Sequence, residues 1–454
     1  MSAQSLVNRR VTRRELLKGA LVVGLGGSTL SSALAGCVMP APAAPGAQPA
    51  AQPAPKEKRE IVYWAHTFPP AVEFVTKVLI PEWEKKHPNL PIIYETVPHA
   101  DFEKKLLTAL AAGTGPDMYQ TWDPNMPLYI GNNRAAAVVP EAFGVSSVKE
   151  VVDLYMPGSL DAFIVEGNLY GIPLEYNTLS LWIRSDAYRE VGLDPNQPPT
   201  NWAMAGEYGA KLVKRDENGA MLRSGWHWPW KSNIWYMITY VPILRQAGGE
   251  ILNAEGTQCI INEQPGVDAL QIYADMVYKY KCDDPAFAIE NDFAMGRYTQ
   301  QISGIYFKPY VEQANPELKY GEHFQVVQLP QIEGGKKSTM LYAWCWTVNP
   351  ASKMQKEAWE WINFMSQHGE GWFANVGYIQ PRKGWLDSEV AKANPALPVF
   401  LKDFEYGQYL PRTTKYQEIE SLLGQAIERS CIEGMPPKES LDIMKGEVDK
   451  LLAS

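Results

Sequence analysis

IVYWAHTF at residues 61–68 and FEKKLLTALAAGTGPDMYQTWD at residues 102–123 bracket the stretch from which the fold follows. Ile61 to Trp64 is a short apolar run of β-forming residues. Val72 to Lys86 carries Val75, Val78, Leu79 and Trp83 at helical spacing, and Pro91 to Val97 is a second strand. Phe102 to Ala112 places Phe102, Leu106, Leu107 and Leu110 on one helical face, and Asp117 to Trp122 starts a third strand. This alternation predicts parallel strands joined by helical crossovers, the α/β doubly wound arrangement. Downstream the pattern returns, with strands at Leu179–Ile183, Ile302–Tyr306 and Phe324–Leu329 and a helix at Pro265–Lys279, so two α/β bodies are expected.

A chain of 454 residues is long enough for two to three domains, each with its own core. Hydrophobic residues make up 46% and charged residues 20%, a globular balance that excludes wholesale disorder and a polytopic membrane protein. The first 36 residues hold five Lys and Arg and one acidic residue, which leaves 37 basic against 50 acidic groups beyond them, a net charge of −13. Such a surface repels nucleic-acid phosphates and anionic membranes, so neither is expected as a partner.

Thr12-Arg13-Arg14-Glu15-Leu16-Leu17-Lys18 precedes a Gly/Ala-rich apolar run from Gly19 to Ala33, the layout of an export signal, and resembles a twin-arginine signal. Leu34-Ala35-Gly36-Cys37 closes it and resembles a bacterial lipobox, which implies cleavage after residue 36 and a lipid on Cys37. Residues 37–58, with Pro40, Pro42, Pro45, Pro49, Pro53 and Pro55, read as an extended tether. The expected location is extracytoplasmic, anchored at a membrane's outer face. Cys259 and Cys282 flank the helix predicted at 265–279; in an oxidising compartment they either pair or remain buried thiols, and sequence alone leaves both open.

The stretches above, with EWEKKHPNL at 82–90 between them, resemble the opening of extracellular solute-binding proteins of ABC importers, and of their sugar-binding branch in particular. LYGIPLEYNTLSLWIRSDAYREVGLDPNQPPTNW at 169–202 resembles that family's first crossing between lobes. MGRYTQQISGIYF at 295–307 and LYAWCWTVNPASKMQKEAWEWINFM at 341–365 resemble two later segments, and the likeness runs from about Glu60 to Arg382. It implies a two-lobed periplasmic-binding-protein fold of type II that closes on its ligand by hinge motion. Lobe one is then placed at 60–173 and 345–370 and lobe two at 178–342 and 378–454. The implied partners are a small carbohydrate and the permease and separate ATPase of an ABC importer, with the receptor itself a monomer.

A saccharide offers flat C–H faces and a rim of hydroxyls, so its site needs aromatic platforms and paired polar groups. Trp226, Trp228, Trp230 and Trp235 fall within ten residues and form the densest aromatic cluster; they either line the cleft or fill a core layer, and the loop context around Pro229 favours the cleft. Ligands of open α/β sheets sit beyond strand C-termini, which nominates His66, Thr67 and Phe68 after the first strand and Gln120, Trp122 and Asp123 after the third. Glu175, Tyr176 and Asn177 lie at the implied hinge. Tyr306 and Phe307 match a family position for an aromatic platform, Trp344 and Trp346 share a face of a strand, and Arg382 is a candidate bidentate donor or an interlobe salt bridge.

Enzymatic chemistry finds little footing: GxSxG, HExxH and a P-loop are absent, and the six histidines show no metal-ligand spacing, so neither metal nor cofactor is expected. Receptors for another solute (a peptide, a polyamine or glycerol phosphate) form the alternative binding class. A glycoside hydrolase would need two carboxylates, for which Asp123 and Glu175 are the available pair.

Overall fold

The computed structural model describes residues 59–287 and 292–454. The expected signal, the lipidated Cys37 and the tether lie outside the described residues. Among the latter, no helix is long and apolar enough to cross a membrane.

The first sheet is built from β1 (Ile61–His66), β2 (Ile92–Val97) and β3 (Met118–Trp122), with two later strands, β4 (Ile172–Pro173) and β10 (Trp344–Val348). Its order is β2-β1-β3-β10-β4. β1 pairs in parallel with β2 and β3, whereas β10 runs antiparallel to β3, with Trp344 opposite Trp122. The helix after β1 starts at Pro69, three residues before the predicted Val72; α1 (Pro69–Phe74) continues through a π-type turn at Val75–Leu79 into Ile80–Lys86. Proline suits a first helical turn, where its missing N–H would have no partner in any case. α2 (His99–Ala111) buries Phe102 and Leu106, as its spacing predicts.

The second sheet has β6 (Ser180–Ile183) at its centre, flanked by β7 (Gln300–Ser303) and β8 (Gln325–Val327). Both of its strand pairings are antiparallel, so the parallel winding expected for each lobe is seen in the first sheet at β1–β3 and not among these three strands. Helices α3 (Trp202–Leu212), α4 (Asn233–Gln246), α5 (Gln264–Tyr278), α9 (Tyr416–Cys431) and α10 (Pro437–Leu452) form the rest of this body, with α9 packed on α4, α5 and α10. Between the two bodies, β5 (Asn177–Thr178), β9 (Thr339–Tyr342) and β11 (Gly407–Tyr409) make a small sheet in the order β11-β9-β5. Three chain passages therefore cross where the bodies meet. α6 (Phe307–Ala314), α7 (Gln355–Ser366) and α8 (Gly369–Val376) complete the main elements.

The tryptophan-rich loop is part of the second core. Gly225 and Trp226 donate backbone N–H groups to Cys282 O at 2.9 and 3.0 Å, Trp228 N donates to Asp283 Oδ2 at 2.8 Å, and His227 bridges Gln301 of β7. The segment thus runs strand-like, with alternate residues on one side. That side is covered: Trp226 and Trp228 are 0% exposed, Trp202 packs within 6.0 Å of both, and Tyr273 of α5 stacks flat on Trp228 at 3.8 Å. Trp230 is buried against Tyr236. The cleft assignment for these three is corrected to core, because helices α3 and α5 occupy the face the loop presents; the Trp226 and Trp228 indole N–H groups are buried without a hydrogen-bond partner. Trp235 is half-buried at the start of α4.

Cys259 and Cys282 are free, buried thiols. The 15-residue α5 lies between them in the chain, about 22 Å of helix, whereas a disulfide needs Cα atoms within about 7 Å. Phe307 belongs to a second apolar cluster with Trp182 and Phe293. Trp346 is fully buried in the first body, donating to the Tyr63 hydroxyl at 2.9 Å beside Trp372. The Arg382 guanidinium is held against the first body by Asn363 Oδ1 at 2.7 Å and Ser366 Oγ at 2.9 Å, over the Tyr155 ring, and makes no interlobe salt bridge among the described residues.

Candidate functional site

The C-terminal ends of β1 and β3 and the N-terminal end of β10 converge on one edge of the first sheet, because β10 is antiparallel to β3. This edge carries His66, Phe68, Trp122, Asp123 and Trp344. Thr67, beside them, is exposed, and its backbone N–H continues the β1–β2 pairing to Val97 O at 2.7 Å.

Aromatic rings pave the layer. Trp122 lies 5.4 Å from Tyr342 and 5.6 Å from Trp344, and Trp344 sits 4.4 Å from His66 and 5.5 Å from His99. On the hinge side Phe68 stacks on Tyr378 at 5.7 Å and meets Tyr306 edge-on at 6.1 Å. Gly304 has no room for a side chain, since a Cβ there would run into the Tyr306 ring and come 2.8 Å from the Tyr342 hydroxyl. Gly377, at φ +80°, lets the chain return just below Tyr306, whose Cα would be 2.9 Å from a Cβ. Tyr176 turns aside and stacks on Phe404 at 4.9 Å.

Acidic groups come from both bodies. Asp123, 0% exposed, accepts from Ala343 N through Oδ1 at 2.9 Å, while its Oδ2 faces Arg412 Nη2 at 3.6 Å. Arg412 also lies over the Tyr409 ring at 4.6 Å. Burial pushes the Asp123 carboxyl up to about 7, against the opposing pull of Arg412 and the Ala343 N–H. Glu175 accepts from Asn177 Nδ2 at 2.9 Å and is pushed up to about 8 by burial. Glu103 of α2 accepts from the Tyr129 hydroxyl at 2.7 Å and from Asn125 Nδ2 at 3.0 Å, and burial raises it to about 7. Glu420 of α9 is likewise raised to about 7, first by burial and further by the charge of Glu103. His66 is pushed down to about 3 by burial and then by His99, so its ring is neutral.

The two bodies touch through this layer: Trp122 Nε1 donates to the Tyr416 hydroxyl of α9 at 3.4 Å, and Arg412 precedes that helix. Asp123 Oδ2 and Arg412 Nη2 meet as an ion pair at 3.6 Å with no hydrogen bond of normal length, and the Tyr409 hydroxyl is buried without a hydrogen-bond partner. Buried polar groups are normally satisfied, so these imperfectly paired atoms make the layer a candidate for hydrogen bonds from outside the chain. No group of His, Cys, Asp and Glu among the described residues could hold a metal ion.

His66, Phe68, Gln120, Trp122, Asp123, Glu175, Asn177, Tyr306 and Trp344 belong to this layer. Arg412, Tyr409, Tyr416, Glu420 and Glu103 join it unforeseen. All but Glu103 lie beyond Arg382, where the sequence resemblance ends, so no motif pointed to them; Glu103 was hidden as the polar neighbour of Phe102 on an amphipathic helix. A separate cavity of about 670 Å³, lined by Ser366, His368, Gly369, Lys383, Trp385 and Arg382 among others, contains none of the layer's residues. Its arginine is already committed to Asn363 and Ser366, and none of these lining residues carries an unpartnered buried polar atom, so the layer between the sheets is the better candidate site.

Two α/β bodies joined by three crossings, with aromatic and polar groups of both facing each other at the strand ends, define a two-lobed binding protein. The chain belongs to the bacterial extracellular solute-binding protein family, whose model matches residues 69–372. A protein of Brucella abortus (strain 2308), described only as a binding protein, is 23% identical over 394 residues, covering 82% of this chain and 85% of the relative. The sn-glycerol-3-phosphate-binding periplasmic protein of Pectobacterium atrosepticum is 24% identical over 231 residues, 48% of each chain. Among solved structures, an ABC transporter solute-binding protein of Thermotoga lettingae bound with α-D-tagatose superposes with a TM-score of 0.76 at 19% identity, covering 87% of this chain and 100% of that one. Maltose-bound MalE3 of T. maritima gives 0.75 at 20% identity, with 86% and 99% covered. The fold is thus that of the type II periplasmic sugar-binding proteins, and the family is one of binding proteins rather than enzymes.

Proposed function

We propose that this protein is an exported, lipid-anchored receptor that captures a carbohydrate, an oligosaccharide in particular, between its lobes and delivers it to an ABC importer's permease. The observation that carries the reading is the interlobe layer itself, where the indole and phenol rings of Trp122, Trp344 and Tyr342 lie beside the buried Asp123–Arg412 ion pair and the unpartnered Tyr409 hydroxyl. Aromatic faces suit the C–H faces of a pyranose, and the orphaned donors and acceptors suit its hydroxyls. Lipid on Cys37 and the proline-rich tether would hold the body off the membrane. The lobes are taken as 60–173 with 345–370 and 178–342 with 378–454, apart from the turn around Arg382, which packs on the first body, and the crossings lie near Glu175, Ala343 and Gln408.

The test is thermal unfolding of residues 59–454 against mono- and oligosaccharides, with amino acids, peptides, spermidine and glycerol 3-phosphate as controls. A ligand at a hundredfold excess over its Kd stabilises the folded state by about 2.7 kcal/mol. A saccharide-specific rise with a change in tryptophan fluorescence is expected; a rise only with glycerol 3-phosphate or an amino acid would refute the carbohydrate assignment.

A further inference from the structure

Four buried side chains form a row across the first sheet. Tyr63 and His66 stand on β1, Gln120 on its neighbour β3, and Trp346 on β10, directly opposite Gln120. The Tyr63 hydroxyl lies 2.8 Å from Gln120 Nε2 and 2.9 Å from Trp346 Nε1. Gln120 also meets His66, the last residue of β1, side chain to side chain. The atoms left for that meeting are Gln120 Oε1 and His66 Nδ1, both buried.

An indole N–H can only donate, so Trp346 must give its proton to the Tyr63 oxygen. With the amide nitrogen of Gln120 also turned to that oxygen, the hydroxyl accepts twice, and its own proton has no acceptor among the described residues. A buried donor left in that state is costly and rare. The two ends of a glutamine amide are alike in shape and are told apart by what they meet. With the carbonyl end toward Tyr63, the hydroxyl donates to Gln120 Oε1, and Gln120 Nε2 donates to His66 Nδ1. Each group in the row then has a partner. Burial, and then His99, pushes His66 down to about 3, so its ring is neutral and carries a single proton. With Nδ1 accepting, that proton sits on Nε2, at the outer tip of the ring.

We infer that Tyr63 and Gln120 are positioning residues: a buried relay from Trp346 through Tyr63 and Gln120 locks His66 in its Nε2–H form, so that the ligand meets a fixed hydrogen-bond donor there and sets an acceptor oxygen against it. The inference rests on the carbohydrate reading above and deepens it, since the hydroxyl and ring oxygens of a saccharide are such acceptors. Trp344 packs on the imidazole at 4.4 Å, which holds the ring in the orientation the relay sets.

The experiment is long-range proton–nitrogen NMR of the full chain with ring-labelled histidine at pH 7, which reads the nitrogen that carries the proton; His66 is assigned by the signal lost in His66→Gln. Calorimetric titration with maltotriose and mannotriose follows on the same samples. The expected result is an Nε2–H ring at His66 in the wild type. Tyr63→Phe removes the donor to Gln120 and should give a mixture of both tautomers, with saccharide affinity lowered at least fivefold. Trp346→Phe disturbs the core more but leaves the Tyr63 hydroxyl and Gln120 in place, and should keep the Nε2–H form. An Nδ1–H ring in the wild type, or the same tautomer change in both variants, overturns the relay and leaves the carbohydrate reading standing. Unchanged affinity in Tyr63→Phe despite the tautomer mixture overturns the positioning role. An Nε2–H ring with neither saccharide binding overturns the assignment of a saccharide acceptor to His66 along with the reading it rests on.

Discussion

Glu175→Gln should raise stability in a pH-dependent way that isolates the burial of one carboxyl. Glu175 is raised from an ordinary 4.5 to about 8, first by burial, with Asn177 opposing. A raised carboxyl means that the folded state holds its proton more tightly than the unfolded state. Below about pH 4.5 both states are protonated and the group costs nothing; between about 4.5 and 8 the unfolded chain ionises and the folded one does not, so stability falls as pH rises. At about 1.4 kcal/mol per pH unit, the cost reaches about 3 kcal/mol at pH 7 and about 5 kcal/mol above pH 8, where it levels off. Glutamine keeps the shape and can accept the Asn177 hydrogen bond while removing the titration. Urea unfolding followed by tryptophan fluorescence at pH 5, 6, 7 and 8 should therefore show wild type and variant nearly together at pH 5 and diverging steadily above it, the variant being more stable. Asp123, Glu103 and Glu420 titrate in both proteins and cancel in the difference. Parallel midpoints across the range, or a variant weaker than wild type at pH 8, would refute the reasoning.

Arg412→Ala removes the cation that faces Asp123 and should weaken saccharide binding at least tenfold, read by calorimetry with whichever panel member shifts the wild type most. Trp344→Ala should lower affinity by a comparable factor and Trp228→Ala should not: deleting the Trp228 indole from the α3–α5 core costs about 3–5 kcal/mol of stability and leaves Kd in the folded fraction unchanged. Cys259, Cys282, Cys345 and Cys431 should resist a thiol reagent until denaturant is added, since all four are buried and burial raises each thiol; rapid titration of any of them in native buffer would contradict the packing described.

The strands β1, β2 and β3 and helix α2 were legible because their signals are local: apolar residues recur at periods of two or 3.6, and burial follows the period. The positions at the strand ends followed from them, since a parallel sheet presents its C-terminal edge to a ligand whatever the loops contain. The tryptophan loop shows where this ends. Alternation correctly put Trp226 and Trp228 on one side, but which side was empty depended on Trp202 and Tyr273, supplied by other helices. Phe307, next to Tyr306, and Trp346, two residues along the strand from Trp344, failed in the same way, each turned into a core.

By itself the amino-acid sequence determined the alternation of strand and helix, the two bodies and the edge of the first sheet where Trp122 and Asp123 stand, because these depend on residues close together in the chain. Tertiary structure alone decided that Arg412, Tyr409, Tyr416 and Glu420 meet that edge. Trp122 and Tyr416 are 294 positions apart, and no periodicity spans such a distance. Only the folding of the C-terminal passage back across the hinge sheet, where β11 pairs with β9, brings Arg412 against Asp123 and Tyr416 against Trp122. The raised pKa of Asp123 arises from its burial there.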